Sequence, residues 1–351
     1  MSTPLPRGYH SATEYSFRED QADAIVRTTT YHYREFCRSV IWFSPREHVG
    51  IRPSIATPFP RAPCTGLGST LGRLPLELLH DVLLRLDVRS LFNFRQANLS
   101  SRQTADSLHE YQMAVSHGLN LLRALLRTRL AVGVSLLDFH HALCTKACTL
   151  CGEFGGFVSL LTWTRCCFRC LQRAPETQVQ TVVSIRKQFH LTVAELGRLR
   201  SFVTLPGSYS VDGSVHKSRA TVASVHQAEL VFGQQPPHAA AAAVQAQPAN
   251  SGRNRKFNFM GSCALPYYDR RTGRVEHGMS CAGCQLALEK DIIGGEWAFE
   301  ARDKVHARDS FLEHFRWCEQ AQVLWRSSNE GESKPPELPE LARRRGFFND
   351  R

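Results

Sequence analysis

Cysteine spacing constrains this 351-residue chain more than any other feature. Cys148-x2-Cys151 is followed, fifteen residues on, by Cys167-x2-Cys170, and a third pair, Cys281-x2-Cys284, lies further along. Twelve cysteines placed at random over 351 positions would give roughly 0.4 such pairs, against the three present. Two intervening residues let one tight turn present both thiolates to a tetrahedral ion, so the spacing points to zinc. A chain of this kind is held together partly by metal.

The compartment fits that reading. No uninterrupted apolar run approaches ~18 residues, so no membrane span is expected. The longest apolar region, 119–134, is broken by Arg123, Arg127 and Arg129. The first residues lack the charged-then-apolar layout of a secretory signal, and Glu14, Glu19, Asp20 and Asp23 disfavour a mitochondrial transit peptide. An intracellular location, cytoplasmic or nuclear, is therefore expected, where paired thiols bind metal more often than they form disulfides.

The net charge of +11 invites a nucleic-acid partner, but its distribution weakens the case. Residues 140–256 hold 13 Lys/Arg against 5 Asp/Glu, whereas residues 261–351 hold 14 against 15. The surplus is spread without a dense basic stripe, which is how a solvated basic face reads.

Residues 1–70 show no sustained period and carry seven of the 17 prolines, which predicts a disordered lead-in. The aromatic patch from Tyr31 to Phe43 within it reads equally as a strand or a binding segment. Order is expected from Leu71. Between Leu74 and Leu86, with Pro75 suited to a first helical turn, Leu78, Leu79, Val82, Leu83 and Leu86 form one broad apolar face. Asp87 can cap a second helix over 88–97, with Leu91 and Phe94 inward, and a third follows over 99–108. The first of these three helices is too apolar to face water, so the unit needs a partner.

A connecting segment, 109–139, begins with an amphipathic helix from Glu110 to about Leu130, with Tyr111, Val115, Leu119, Leu122 and Leu126 on one stripe. A zinc-binding region with four cysteine ligands is expected over 140–233, where Gly152, Gly155 and Gly156 offer positive-φ positions. Within it, Thr192-x-x-Glu195 is a capping box. Residues 234–256 read as a flexible insertion, 257–326 as a second zinc-binding region, and 327–351 as a loose tail.

The first region offers Cys148, Cys151, Cys167 and Cys170, a closed shell that leaves no coordination position for catalysis. The second offers Cys281, Cys284, His314 and Cys318, the last two at i, i+4 and so expected on one helix face. Cys144 and Cys166 compete for the first set, and Cys263, His277 and His306 for the second. The pairs at 148/151 and 281/284 are too far apart for a cross-braced RING arrangement, so two sequential sites are expected. A redox Cys-x-x-Cys would stand alone at a helix start in a βαβ unit, and no such unit is evident. No glycine-rich phosphate loop and no paired carboxylates stand out, so the chain reads as non-catalytic.

Residues 71–108 resemble an F-box: Leu74-Pro75-x-Glu77-Leu78-Leu79, then Leu86-Asp87, then Ser90-Leu91 and Phe94-Arg95-Gln96-Ala97-Asn98. The third helix departs from the family pattern, reading Asn98-Leu99-Ser100-Ser101-Arg102-Gln103 where many F-boxes carry a Trp. The wider layout is similar to fungal F-box proteins with a C-terminal Cys-rich region, ending in the His314-Phe315-x-x-Cys318 element. The resemblance implies a mainly helical α+β protein, an N-terminal three-helix F-box followed by a zinc-stapled receptor domain. It also implies a non-enzymatic role, as substrate receptor of an SCF-type (cullin–RING) ubiquitin ligase. A Skp-type adaptor would contact Leu74, Pro75, Leu78, Leu79, Val82, Leu83, Leu91 and Phe94, which serve either the contact or the bundle core. The zinc region, with two structural ions, would take an unknown protein substrate. The alternative is a zinc-dependent nucleic-acid-binding or scaffold protein.

Overall fold

The computed structural model describes residues 9–56, 71–209, 214–233, 255–292 and 294–345. The fold is α+β and mainly helical, as expected, with short strands paired in several small sheets. Among the described residues no helix is long and apolar enough to cross a membrane.

The largest difference from expectation is at the N-terminus. Residues 9–56 are not a disordered lead-in: they form α1 (Ala22–Thr29), β1 (Thr30–Tyr31), α2 (Arg34–Arg38) and α3 (Pro45–Ile55). The prolines mislead here, because Pro45 is the first residue of α3, directly after a capping box made by Ser44 and Glu47. The elements are too short to show a period, yet Ile25, Tyr31, Phe36, Ile41 and Phe43 are all buried. The aromatic patch is thus a strand and core residues. The rest of the expected lead-in, 1–8 and 57–70, lies outside the described residues.

A helical bundle follows: α4 (Leu76–Arg85), α5 (Val88–Ala97), α6 (Leu99–Ser107), α7 (His109–His117), α8 (Leu119–Thr128) and α9 (Leu136–Leu143). Pro75 is the N-cap of α4 rather than its first helical residue. Asp87 caps α5 as expected, its carboxylate accepting from the Ser90 amide at 2.9 Å, and Asn98 does the same for α6 at 2.8 Å. The single helix expected from Glu110 to Leu130 is broken into α7 and α8 at Gly118. A Cβ there would lie 2.6 Å from the ring of Phe139, so the break makes room for α9 to pack.

The cysteine-bearing body contains β2 (Phe157–Ser159), β3 (Thr164–Cys166) and α10 (Phe168–Arg173). Next come β4 (Val179–Thr181), α11 (Val182–Phe189), α12 (Val193–Leu196), β5 (Ser201–Val203), the hairpin β6 (Gly207–Ser208) and β7 (Val215–His216), β8 (Thr221–Ser224) and α13 (Val225–Phe232). Thr192 and Glu195 form the expected capping box on α12. The last part holds α14 (Arg255–Met260), β9 (Ser262–Ala264), the hairpin β10 (Tyr267–Tyr268) and β11 (Val275–Glu276), β12 (Ser280–Cys281), α15 (Ala282–Glu289), α16 (Gly295–Asp303), α17 (Arg308–Phe315), α18 (Glu319–Ser327) and α19 (Glu340–Arg345).

Strand pairing cuts across the division expected between a 140–233 and a 257–326 region. β9 completes the first sheet in the order β3-β2-β9, with Val158 opposite Cys263. Residues 179–232 instead make their own lobe, a β4-β8-β5 sheet whose small core includes Ile185, Leu199, Val225 and Phe232. The expected insertion lies outside the described residues as far as 254, and α14 begins at Arg255. The tail is not loose throughout, since Leu338 and Ala342 are buried against Tyr31 and Leu286. One apolar core runs from the bundle into the first cysteine sheet, joining Leu79, Leu91, Leu125 and Phe139 to Phe157, Phe168 and Cys263. Buried Arg165 stitches the junction by donating to the carbonyls of Gly155, Ala142, Leu265 and Pro266.

Candidate metal centres and adaptor face

Two clusters gather as expected. The ligand atoms of Cys148, Cys151, Cys167 and Cys170, and separately those of Cys281, Cys284, His314 and Cys318, lie within 4.8 Å of one another. The sites are sequential and not cross-braced. A tetrahedral ion with metal–sulfur bonds of ~2.3 Å has sulfur–sulfur edges of about 3.8 Å. Cys151 and Cys167 stand 3.6 Å apart, and Cys281 and Cys318 3.8 Å. The donor sets and spacings therefore fit a four-coordinate ion at each site, with Cys148, Cys151, Cys167 and Cys170 able to hold one and Cys281, Cys284, His314 and Cys318 the other.

The local chain explains this geometry. Cys148 and Cys151 bracket a tight turn in which the Gly152 amide donates to the Cys148 carbonyl at 2.9 Å, and Gly152 has φ +80°. Neither Gly155 nor Gly156 has positive φ, contrary to expectation. Gly155 is needed for space, since a Cβ would lie 2.9 Å from Arg165 and 3.1 Å from the Cys148 nitrogen. In each centre one Cys-x2-Cys pair opens a helix. Cys167 caps α10 and accepts from the Cys170 amide at 3.4 Å, and Cys281 caps α15 and accepts from the Cys284 amide at 3.4 Å. A thiolate at a helix N-terminus faces unpaired N–H groups and the positive end of the dipole.

The remaining two ligands of the second centre are arranged differently from expectation. They do not share one helix face: α17 ends at Phe315, and Cys318 sits beyond it in extended conformation as the N-cap of α18. The Cys318 amide still donates to the His314 carbonyl at 3.0 Å, so the helix end keeps the two residues together. His314 Nε2 lies 3.3 Å from Cys284 Sγ.

Crowded thiols share their protons. Hydrogen bonding from Cys167 pulls the Cys148 thiol down to about 4, while burial and the Cys151 contact push Cys170 up to about 12. In the second centre, hydrogen bonds from Cys281 and Cys318 hold Cys284 well below the ordinary thiol range. Burial disfavours a charged His314, yet the Cys284 and Cys318 thiolates overcome it and raise the imidazole well above its usual value. A cation would replace these protons.

None of the rival ligands joins either cluster. Cys166 is buried on β3, burial pushing its thiol up. Cys263 accepts from Asn120 Nδ2 at 3.0 Å. Cys144 contacts His140, and His277 lies near His32, outside both clusters. His306 stacks on His314, ring centres 4.8 Å apart, without entering the ligand set. Tyr9 escapes sequence reasoning altogether, because it lies in the stretch that reads as a lead-in. Its hydroxyl is 3.5 Å from Cys284 Sγ, and burial together with that sulfur pushes the phenol up. β1 pairs with β12, placing Thr30 opposite Cys281, and His10 bridges to Cys318. No sequence signal in residues 9–31 announces these contacts.

α4 divides the expected adaptor residues into two roles. Leu79 and Leu83 are 3% and 2% exposed and, with Leu91, belong to the core. Leu78 and Val82 are 56% and 47% exposed, and Leu74 is also open to solvent. Pro75 is exposed and Phe94 half-buried. Leu76, not singled out from the sequence, is 55% exposed as well, on the other side of the buried Leu79 and Leu83 row. Residues 71–113 match the F-box domain. The chain carries an F-box. No curated protein and no solved structure matches the chain.

The F-box is fastened to the N-terminal segment. Arg95 of α5 is fully buried, bonded to Asp106 at 2.6 Å and donating to the Ser54 carbonyl, while the Tyr111 hydroxyl donates to the Ile55 carbonyl at 2.7 Å. A cleft of about 610 Å³ opens beside the second centre, with Tyr9, Trp297, His314 and Trp317 among its walls and no residue of α4. A smaller hollow of about 280 Å³ beside Cys151 and Cys170 adjoins it, sharing Glu153, Arg169, Glu300 and Lys304. α16 puts an exposed aromatic residue at each, Trp297 at the first and Phe299 at the second.

Proposed function

We propose that this chain is the substrate-receptor subunit of an SCF-type cullin–RING ubiquitin ligase. Its F-box binds the Skp-type adaptor, and its metal-stapled body holds a protein substrate. F-box domains are the adaptor-binding modules of such ligases, and F-box proteins are usually non-catalytic. The observation that carries the reading is the split on α4: an inward row of Leu79 and Leu83 completes the core while Leu78 and Val82, at i and i+4, stand in water, with Leu74 and Leu76 also exposed at the helix start. Exposed contiguous apolar surface marks an interaction site.

Both centres are assigned structural zinc, since four thiolates, or three thiolates and one imidazole, make closed shells typical of that ion. On this reading all eight ligands serve the fold and no chemistry occurs at the metal. The cleft beside α16 is the place assigned to a substrate segment, because it is concave, carries aromatic side chains and is lined by no residue of α4.

The test is co-expression with a Skp-type adaptor in zinc-containing medium, followed by native mass spectrometry. A one-to-one complex whose receptor carries two zinc ions is the expected result. Leu78→Asp places a charge in the apolar contact and removes binding by several kcal/mol, with the fold intact because Leu78 is exposed. A folded Leu78→Asp chain that still binds the adaptor overturns the assignment. Apolar docking also persists as salt rises. A steep loss of partner binding with salt would instead favour the nucleic-acid alternative.

A further inference from the structure

The cleft beside α16 has a wall residue whose polar atoms the fold leaves unused. His306 is 1% exposed, and the Ser310 backbone comes near it, yet neither ring nitrogen makes a hydrogen bond. The ring stacks on His314 but belongs to neither ligand set. A buried polar group without a partner carries a desolvation cost that an entering group of matching polarity recovers. One nitrogen of a neutral imidazole accepts, so an N–H donor is the group that suits it.

The rest of the cleft narrows the chemistry of that donor. Trp297 stands exposed on α16, and Trp317, stacked with His10 at 5.1 Å, lines the same space. Indole faces attract cations. Among the charged residues of the walls, Glu153, Glu300 and Glu313 outnumber Arg169 and Lys304. Lys304 is held by Glu153 at 2.9 Å, while Arg169 and Arg173 share Glu300. Glu313 is the carboxylate left over. Its one ion pair among the described residues is with Arg316 at 3.6 Å, and that guanidinium binds Glu14 more closely, at 2.7 Å. His314 and Cys318 are also part of the wall, and three thiolates with one imidazole around a divalent ion would leave that centre one net negative charge.

We propose that the cleft takes an arginine side chain carried by a segment of the protein substrate. A guanidinium is planar, stacks on indole, brings several N–H donors for His306 and pairs with the Glu313 carboxylate. An ammonium offers a point charge without the stacking plane, and an acidic segment would meet Glu313 with like charge. The volume of about 610 Å³ exceeds one side chain and leaves room for flanking backbone. The inference rests on the receptor reading for the origin of the segment; the choice of arginine rests on the cleft alone.

The experiment titrates the full, zinc-loaded chain, without adaptor, with a capped Gly-Gly-Arg-Gly-Gly peptide and its Lys, Tyr and Glu counterparts, following the tryptophan indole signals by NMR. The Arg peptide should move the Trp297 and Trp317 signals and bind at least about fivefold tighter than the Tyr and Glu peptides, with Lys between. Trp297→Ala alters an exposed side chain and should weaken the Arg peptide about fivefold, and Glu313→Gln about threefold. His306→Phe keeps a ring beside His314 while removing both nitrogens. It should weaken the Arg peptide about fivefold, with native mass spectrometry still counting two ions. A Tyr or Glu peptide that binds as tightly, an Arg peptide that moves neither indole signal, or an affinity indifferent to Trp297→Ala overturns the inference. A chain that forms the adaptor complex but ignores the Arg peptide loses this inference and keeps the receptor reading; one that binds the peptide but no adaptor keeps the arginine site and loses that reading.

Discussion

The two candidate metal centres offer nearly the same donors in different ways. The first is local and open on one side: all four cysteines fall within 148–170, with Cys148 and Cys167 buried and Cys151 exposed. The second is assembled at long range. Cys281 and Cys318 are 37 residues apart, all three of its cysteines are buried, and a strand and a tyrosine from the N-terminal segment close it. Its three cysteines pack in a separate core with Ile25, Phe311, Phe315 and Trp325, whereas Cys148 and Cys167 of the first belong to the large core that runs into the helical bundle. The lesson is that a metal site can either decorate a fold or be its keystone, and ligand identity alone does not say which.

Removing one ligand from each site separates the two roles. Cys284→Ser should lose the second ion and release α1, β1 and α15 together, since closing a long loop gives a cross-link more stabilising effect than closing a short one. Structural zinc supplies ~10–16 kcal/mol of apparent binding energy in small domains, so a loss on the order of 5 kcal/mol or more is expected. Native mass spectrometry should count one ion, and hydrogen exchange should show lost protection over 22–31. Cys151→Ser should also lose one ion, but with faster exchange confined to 148–170 and a smaller drop in melting temperature. Equal drops, or lost protection at 22–31 in both variants, would break the comparison.

The same contrast decides what the sequence could reveal. Cys148 to Cys170 and the α4 helix declare themselves because their signals, thiol spacing and a 3.6-residue apolar period, are local. Asp87, Asn98 and Thr192 cap their helices for the same reason, though only the first and last stand out in the sequence. Tyr9, Thr30 and Ile41 reach their partners only through tertiary contacts more than two hundred residues away, and nothing near them in the chain encodes those partners. Pro45 and Pro53 then pull the reading toward extended chain, although Pro45 opens a helix and Pro53 sits in its last turn. The division of Leu78 from Leu79 is equally closed to the sequence. Both lie on one apolar face, and only packing against α9 and the core tells the inward residue from the outward one.

Acid should weaken both centres, for a shared reason. Ligands bind metal deprotonated, so each ion enters in exchange for protons held by the cluster. Most of these groups stand above their ordinary values: Cys170 at about 12, and Cys281 raised by burial. His314, raised by the Cys284 and Cys318 thiolates against burial, must also give up its proton. The sign follows: affinity rises with pH and falls on acidification, by about one decade per pH unit for each proton released. A competitive chelator titration between about pH 6 and pH 8 measures the slope. A flat profile at either centre would mean that its thiols are already ionised without metal, and would remove proton exchange as a feature the two sites share.

Tyr9→Phe makes the finest cut between the centres. The phenol reaches one of them, donating toward Cys284 at 3.5 Å, and deleting its oxygen leaves the ring in place beside His10 and Trp317. Outer partners that orient a ligand typically change metal affinity ~10–100-fold, and a single weak O–H···S contact belongs at the lower end of that range. The expected result is therefore about tenfold weaker binding at the second centre, with the first unchanged. Two ions that leave separately in a chelator titration give both affinities in one experiment. If the second affinity holds steady, the N-terminal segment closes that centre through backbone pairing alone: the Thr30–Cys281 register and the Glu319 amide donating to the Tyr9 carbonyl at 3.1 Å. If it falls while melting temperature does not, the tyrosine acts on the metal and not on the fold, and the long-range character of this centre extends to its chemistry.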